Sequence, residues 1–148
     1  MKFSDVIMAA ALLFVVGLVL CGPFFVLFAP LKSSMSLVAS IIAVLIASII
    51  VGYLFAVQIR EESRLRAIGS IVLLATAGLM IFMVGWYANP LASPAIKDSI
   101  QSIFNTSGWT DYDWFAYTAL VMGLEIILFV VLGFVGLYVG SMLKPKKT

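Results

Sequence analysis

Protein chemistry relies on a few side-chain types, and this chain of 148 residues is short of most of them. It has no histidine and a single cysteine, Cys21. Imidazole is the usual haem and copper ligand and a frequent zinc ligand, and thiolates hold iron–sulfur clusters. The chain alone therefore builds no ordinary site of these kinds, and no internal disulfide. It also lacks the commonest general base. Carboxylates remain. Asp98, Asp111 and Asp113 precede the last apolar run, but calcium needs six or more oxygens in a shaped loop. Their spacing offers no such loop and reads as a solvated cap. No catalytic residue, metal ligand or cofactor is expected.

The costly residue is Glu125, within Met122-Gly123-Leu124-Glu125-Ile126-Ile127, where it is the one charge-capable group inside an apolar run. An acid at membrane depth costs about 2.5–3.5 kcal/mol on insertion scales, so it should face protein or a water-filled cavity. At about 100° per residue, Thr118 and Gly136 fall within roughly 20° of it around a helix. Gly133, Gly136 and Gly140 continue that flank, and small residues let helices approach closely. The second apolar run offers a matching surface in Ala39, Ala43 and Ala47, beside Ser40, Ser48, Gly52 and Ala56. The second and fourth helices are expected to pack closely there, with Ser48 as a hydrogen-bond partner for Glu125. Glu125 is then either a proton- or cation-binding carboxyl or an assembly contact, to this chain or to another subunit. A transport path needs more than one polar station. The first run offers none and the third little beyond Ser70 and Thr76, which tips the reading towards assembly.

Gly123-Leu124-Glu125-Ile126 and the apolar run after it resemble the glutamate-bearing helix of a small membrane-arm subunit of proton-pumping dehydrogenases and related antiporters. The likeness covers fewer than about twenty residues and falls in a fourth helix, where that family has three. Rotary-ATPase proteolipids also carry an acid in the last of four helices, but their small-residue repeats are missing here and their orientation is opposite. No family is assigned on these likenesses, and no site residue is carried over.

The elements that position Glu125 follow from composition. The chain is 64% hydrophobic and 11% charged, against about 45–50% and about 25% in soluble domains. A small soluble domain keeps much of its surface in water and could not hide so large an apolar share. Apolar runs at about 6–29, 37–59, 67–88 and 114–143 each reach the roughly 20 residues that cross a bilayer as a helix. The expected fold is an all-α integral membrane four-helix bundle, a single domain over residues 1–148. Lys2 followed by an apolar stretch has the outline of a signal peptide. That stretch is longer than the 7–15 residues of an h-region and lacks a small-x-small cleavage site, so it reads as helix one. Gly22-Pro23 predicts a bend there.

The connections supply orientation and anchoring. Lys2, Arg60, Arg64, Arg66, Lys144, Lys146 and Lys147 fall on one side and only Lys32 and Lys97 on the other. The positive-inside bias puts both termini in the cytoplasm. In the short second loop, Glu61 can pair with Arg64 and Glu62 with Arg66 if the helix runs on. The outer loop, about 89–113, contains Ser93-Pro94 as a helix start. Ala95, Ile96, Ile100, Ile103 and Phe104 then form one stripe, which predicts a short extracytoplasmic amphipathic helix. Asn105-Thr106-Ser107 fits the glycosylation sequon. Thr110 and Asp113 have capping-box spacing, and Trp86, Tyr87, Trp109 and Trp114 suit headgroup level.

These readings predict a non-catalytic accessory subunit of a larger membrane complex, in the cell membrane. Its partners would be the lipid bilayer and other membrane subunits, or failing those further copies of itself, but not nucleic acid. The alternative is a small oligomeric proton- or cation-coupled transporter centred on Glu125. An intramembrane enzyme using Asp111, Asp113 or Glu125 is a distant third, since no nucleophile is paired with a base.

Overall fold

The computed structural model describes residues 1–28, 33–61, 63–87 and 108–145. The expected amphipathic helix over 93–104, the first loop, Lys32, Glu62, Lys97, Lys146 and Lys147 lie outside them. Every element among the described residues is helical: α1 (Phe3–Phe28), α2 (Ser33–Leu54), α3 (Ala56–Glu61), α4 (Arg64–Tyr87) and α5 (Asp111–Leu143). Among the described residues, Arg64–Phe82 and Asp111–Leu143 are long and apolar enough to cross a membrane.

The expected second helix over 37–59 differs in detail. A turn at Phe55 divides it, one turn after Gly52, the residue with least preference for a helix after proline. The backbone ladder still carries across, since Phe55 N–H donates to Val51 O at 3.0 Å and Ile59 N–H to Phe55 O at 2.9 Å. Meanwhile α1 stays helical through Gly22 and Pro23. Thr110 caps α5: its hydroxyl accepts from Asp113 N–H at 3.3 Å, and Asp113 Oδ2 accepts from Thr110 N–H at 2.8 Å. Two otherwise orphaned donors at the helix start are satisfied together. Trp109 stacks edge-on against Trp114, with ring centroids 5.0 Å apart, and tilts over Tyr117 at 5.4 Å.

The long helices form a ring in which α1 neighbours α2 and α4, and α5 neighbours α2 and α4, with the α2–α5 interface the largest. These two helices run parallel. Gly136 meets Leu45, Ser48 and Ile49, and Gly140, one turn further, meets Ile49 and Tyr53. Parallel neighbours need a long connection, and α4 with the segment after it supplies one. Among the described residues, the core lies in Ala9 and Leu13 of α1, Ala47 and Val51 of α2, Ile59 of α3, Ile68 and Ile71 of α4, and Leu137 of α5. Towards the other end of α5, no described residue from Asp111 to Leu128 is buried.

Candidate functional site

Three small residues make the α2–α5 seam. A methyl group on Gly52 would sit 2.5 Å from Leu137 O, one on Gly136 would overlap Ser48 Cβ, and one on Gly140 would overlap Ile49 O. Real Cβ atoms do not approach backbone so closely, so at these three positions only glycine lets the helices meet. Ala43, Ala47 and Ser48 are fully buried on the facing side of α2. Gly133 points elsewhere: its nearest neighbour is Val72 Cγ2 of α4, at an ordinary 3.5 Å. The glycines at 133, 136 and 140 therefore serve two interfaces.

Ser48 satisfies itself within α2, its hydroxyl donating to Val44 O at 2.7 Å. Thr76 does the same to Val72 O at 2.7 Å and Ser70 to Arg66 O at 3.0 Å. Such back-bonding leaves a buried hydroxyl without an unmet donor. The structure brings Ser48 to Gly136 and not to Glu125. Thr118 lies in α5, but its side chain is outside the described residues.

Glu125 occupies the same stripe of α5 as Phe129 and Gly136, about 40° and 20° around the helix at 100° per residue. Phe129 is 7% exposed and Gly136 is buried, yet Glu125 is exposed. The seam that is closed at Gly136 is open at Glu125. Met122 and Leu128, about 60° to either side of it, are half-buried, whereas the exposed Leu120, Leu124 and Ile127 lie about 140°, 100° and 160° away around the helix. No described residue gives it a hydrogen bond or an ion pair.

The opposite end of α5 has a feature that sequence reading missed. Arg60 of α3 donates through Nε to Ser141 O at 2.9 Å and through Nη2 to the carbonyls of Ser141, Met142 and Lys144. These are the carbonyls that a helix end leaves without N–H partners, and a guanidinium there also complements the negative end of the helix dipole. Lys144 Nζ sits 5.6 Å from the Tyr53 ring and Arg64 Cζ 6.0 Å from the Tyr138 ring. Arg60 and Arg64 thus brace α5; Glu61 and Arg64 form no ion pair among the described residues, and the expected pair of Arg66 with Glu62 involves a residue outside them. Loop spacing alone could not reveal this, because the partner carbonyls lie 81 or more residues away.

Comparison with protein-family models, curated proteins and solved structures finds no match for this chain.

Proposed function

We propose that this chain is a non-catalytic subunit of a larger membrane complex. It would be a four-helix bundle in the cell membrane with both termini in the cytoplasm, docking on its partner along the outward half of α5. One observation carries the reading: Glu125 is exposed on a stripe of α5 that is buried one and three turns further along. Lipid cannot satisfy such a group, which calls for protein or water against it. A partner helix seated in the open seam would supply a hydrogen-bonding group to Glu125 and cover the half-buried Met122 and Leu128 beside it. The positive-inside bias supports the orientation.

The test is native mass spectrometry of the tagged chain, gently extracted from its own membranes. The reading expects stoichiometric larger membrane subunits with the wild type and with Glu125→Gln, which keeps hydrogen-bonding capacity. Glu125→Leu should lose them while remaining folded. Homo-oligomers without a partner, together with proton flux in vesicles that Glu125→Gln abolishes, would replace this reading with the transporter.

A further inference from the structure

A groove of about 420 Å³ runs between α4 and α5, lined chiefly by Val72, Leu73, Thr76, Met80, Val130 and Phe134. It begins at Gly69 and reaches Met80, a rise of roughly 16 Å at 1.5 Å per residue. That is about half of a 30 Å hydrocarbon core, the depth of a single leaflet. Its one polar side chain, Thr76, has turned its hydroxyl proton inward to Val72 O, so the walls offer aliphatic groups, the Phe134 ring and the Met80 thioether, and almost no polar surface.

One end of the groove is charged. Arg66 precedes Gly69 by three residues and so falls near the same stripe of α4, while Tyr138 follows Phe134 by four on α5. Arg64 is held over the Tyr138 ring at 6.0 Å, and Arg66 is exposed. Among the described residues no carboxylate pairs with either arginine. An apolar slot one leaflet deep that ends in two guanidinium groups matches a single class of ligand. Basic pockets between membrane helices on the cytoplasmic side take anionic headgroups, and guanidinium is the side chain best shaped for phosphate.

We propose that the α4–α5 groove is a binding site for an anionic phospholipid of the cytoplasmic leaflet, with one acyl chain lying along Val72, Leu73, Met80 and Phe134 and the headgroup phosphate on Arg64 and Arg66. Val130 and Phe134 lie on the side of α5 away from Glu125, about 140° and 180° around the helix. The lipid site and the docking seam can therefore be occupied together. The inference rests on α4 and α5 crossing the membrane with the arginines inside.

The experiment is native mass spectrometry of the full chain in detergent, titrated with phosphatidylglycerol or with phosphatidylcholine of the same acyl chains. The site predicts a one-to-one adduct that survives collisional activation with phosphatidylglycerol better than with phosphatidylcholine. Removing each arginine charge, as Arg64→Gln or Arg66→Gln, should weaken phosphatidylglycerol binding about fivefold. Filling the slot from Ala77, which also lines it, as Ala77→Phe should weaken both lipids, and glycerol phosphate, a headgroup without a chain, should not compete. Equal retention of the two lipids, indifference to the arginine variants, or displacement by glycerol phosphate would overturn the proposal. Carbonate extraction of cell membranes checks the membrane reading separately. A chain released by carbonate would sink that reading, whereas a retained chain without lipid preference would sink the lipid site alone.

Discussion

The two ends of this bundle are built on different terms. At the basic end, four helices and the short α3 enclose Leu13, Ile59, Ile68, Ile71 and Leu137 at 0% exposure, glycine lies on backbone, and an arginine closes the last helix. At the aromatic end, α5 begins with a well-made cap and a cluster of Trp109, Trp114 and Tyr117, but none of its described residues up to Leu128 is buried. On the proposed reading, stability and assembly are separated along one helix. The half of α5 at the basic end fits this chain closely, whereas the other half carries Glu125, exposed and without a hydrogen bond or ion pair among the described residues.

Substitutions at the basic end test that contrast most severely. Gly140→Val places two methyl groups into Ile49 and Tyr53 backbone; overpacking of this kind costs about 1–3 kcal/mol or more, and immovable backbone sets it at the upper end. The expected result is loss of the folded band in thermal unfolding in detergent. Gly123→Ala meets open space and is expected to be neutral or to stabilise by up to about 1 kcal/mol through helix propensity. If the two variants behave alike, the contrast between the halves fails.

Arg60→Ala comes next. Hydrogen bonds to a charged group contribute about 1.5–3 kcal/mol, and its loss should speed amide exchange around residues 141–144. Arg60→Lys should recover only part of this, since an ammonium lacks the planar fork that reaches several carbonyls together. At the aromatic end, Thr110→Ala should cost about 1 kcal/mol, read as fraying of the first turn of α5 with the basic end undisturbed. The smallest effect is expected at Gln58, whose Oε1 is buried without a hydrogen-bond partner. Gln58→Met removes the unmet acceptor, and the melting temperature should hold or rise.

Much of this was legible in the residues. Continuous apolar runs can only be helices where water is scarce, and the described elements are all helical. Thr110 and Asp113 announced the start of α5 because a capping box is local chemistry. Gly136 and Gly140 were marked by their angular position, and Ala43, Ala47 and Ser48 by four-residue spacing. Angle alone could not reveal that Gly133 faces Val72 of α4, since a helix packed against two neighbours uses adjacent stripes for each. Nor could it separate Glu125 from Gly136, which share a stripe but differ in what covers them. Ser48 was paired with Glu125 on chemistry, whereas the hydroxyl found a nearer acceptor in its own helix. Arg60 was invisible as a cap because its partners are distant carbonyls, which carry no side-chain signature.

The reach of Arg60 to Ser141, 81 residues along the chain, also sets a schedule. On a ribosome adding about 5–20 residues per second, this arginine would wait roughly 4–16 s for its carbonyls to be made. The glycine-fitting face of α2 would stand unmatched for a similar interval, because the α5 residues it meets, such as Leu137 against Gly52, are synthesised about 85 residues later. Until then the nascent chain offers a narrow, small-residue surface to any helix nearby. Whatever shields that surface during synthesis governs yield, and slowing translation before α5 should lower the fraction of chains that reach the folded bundle.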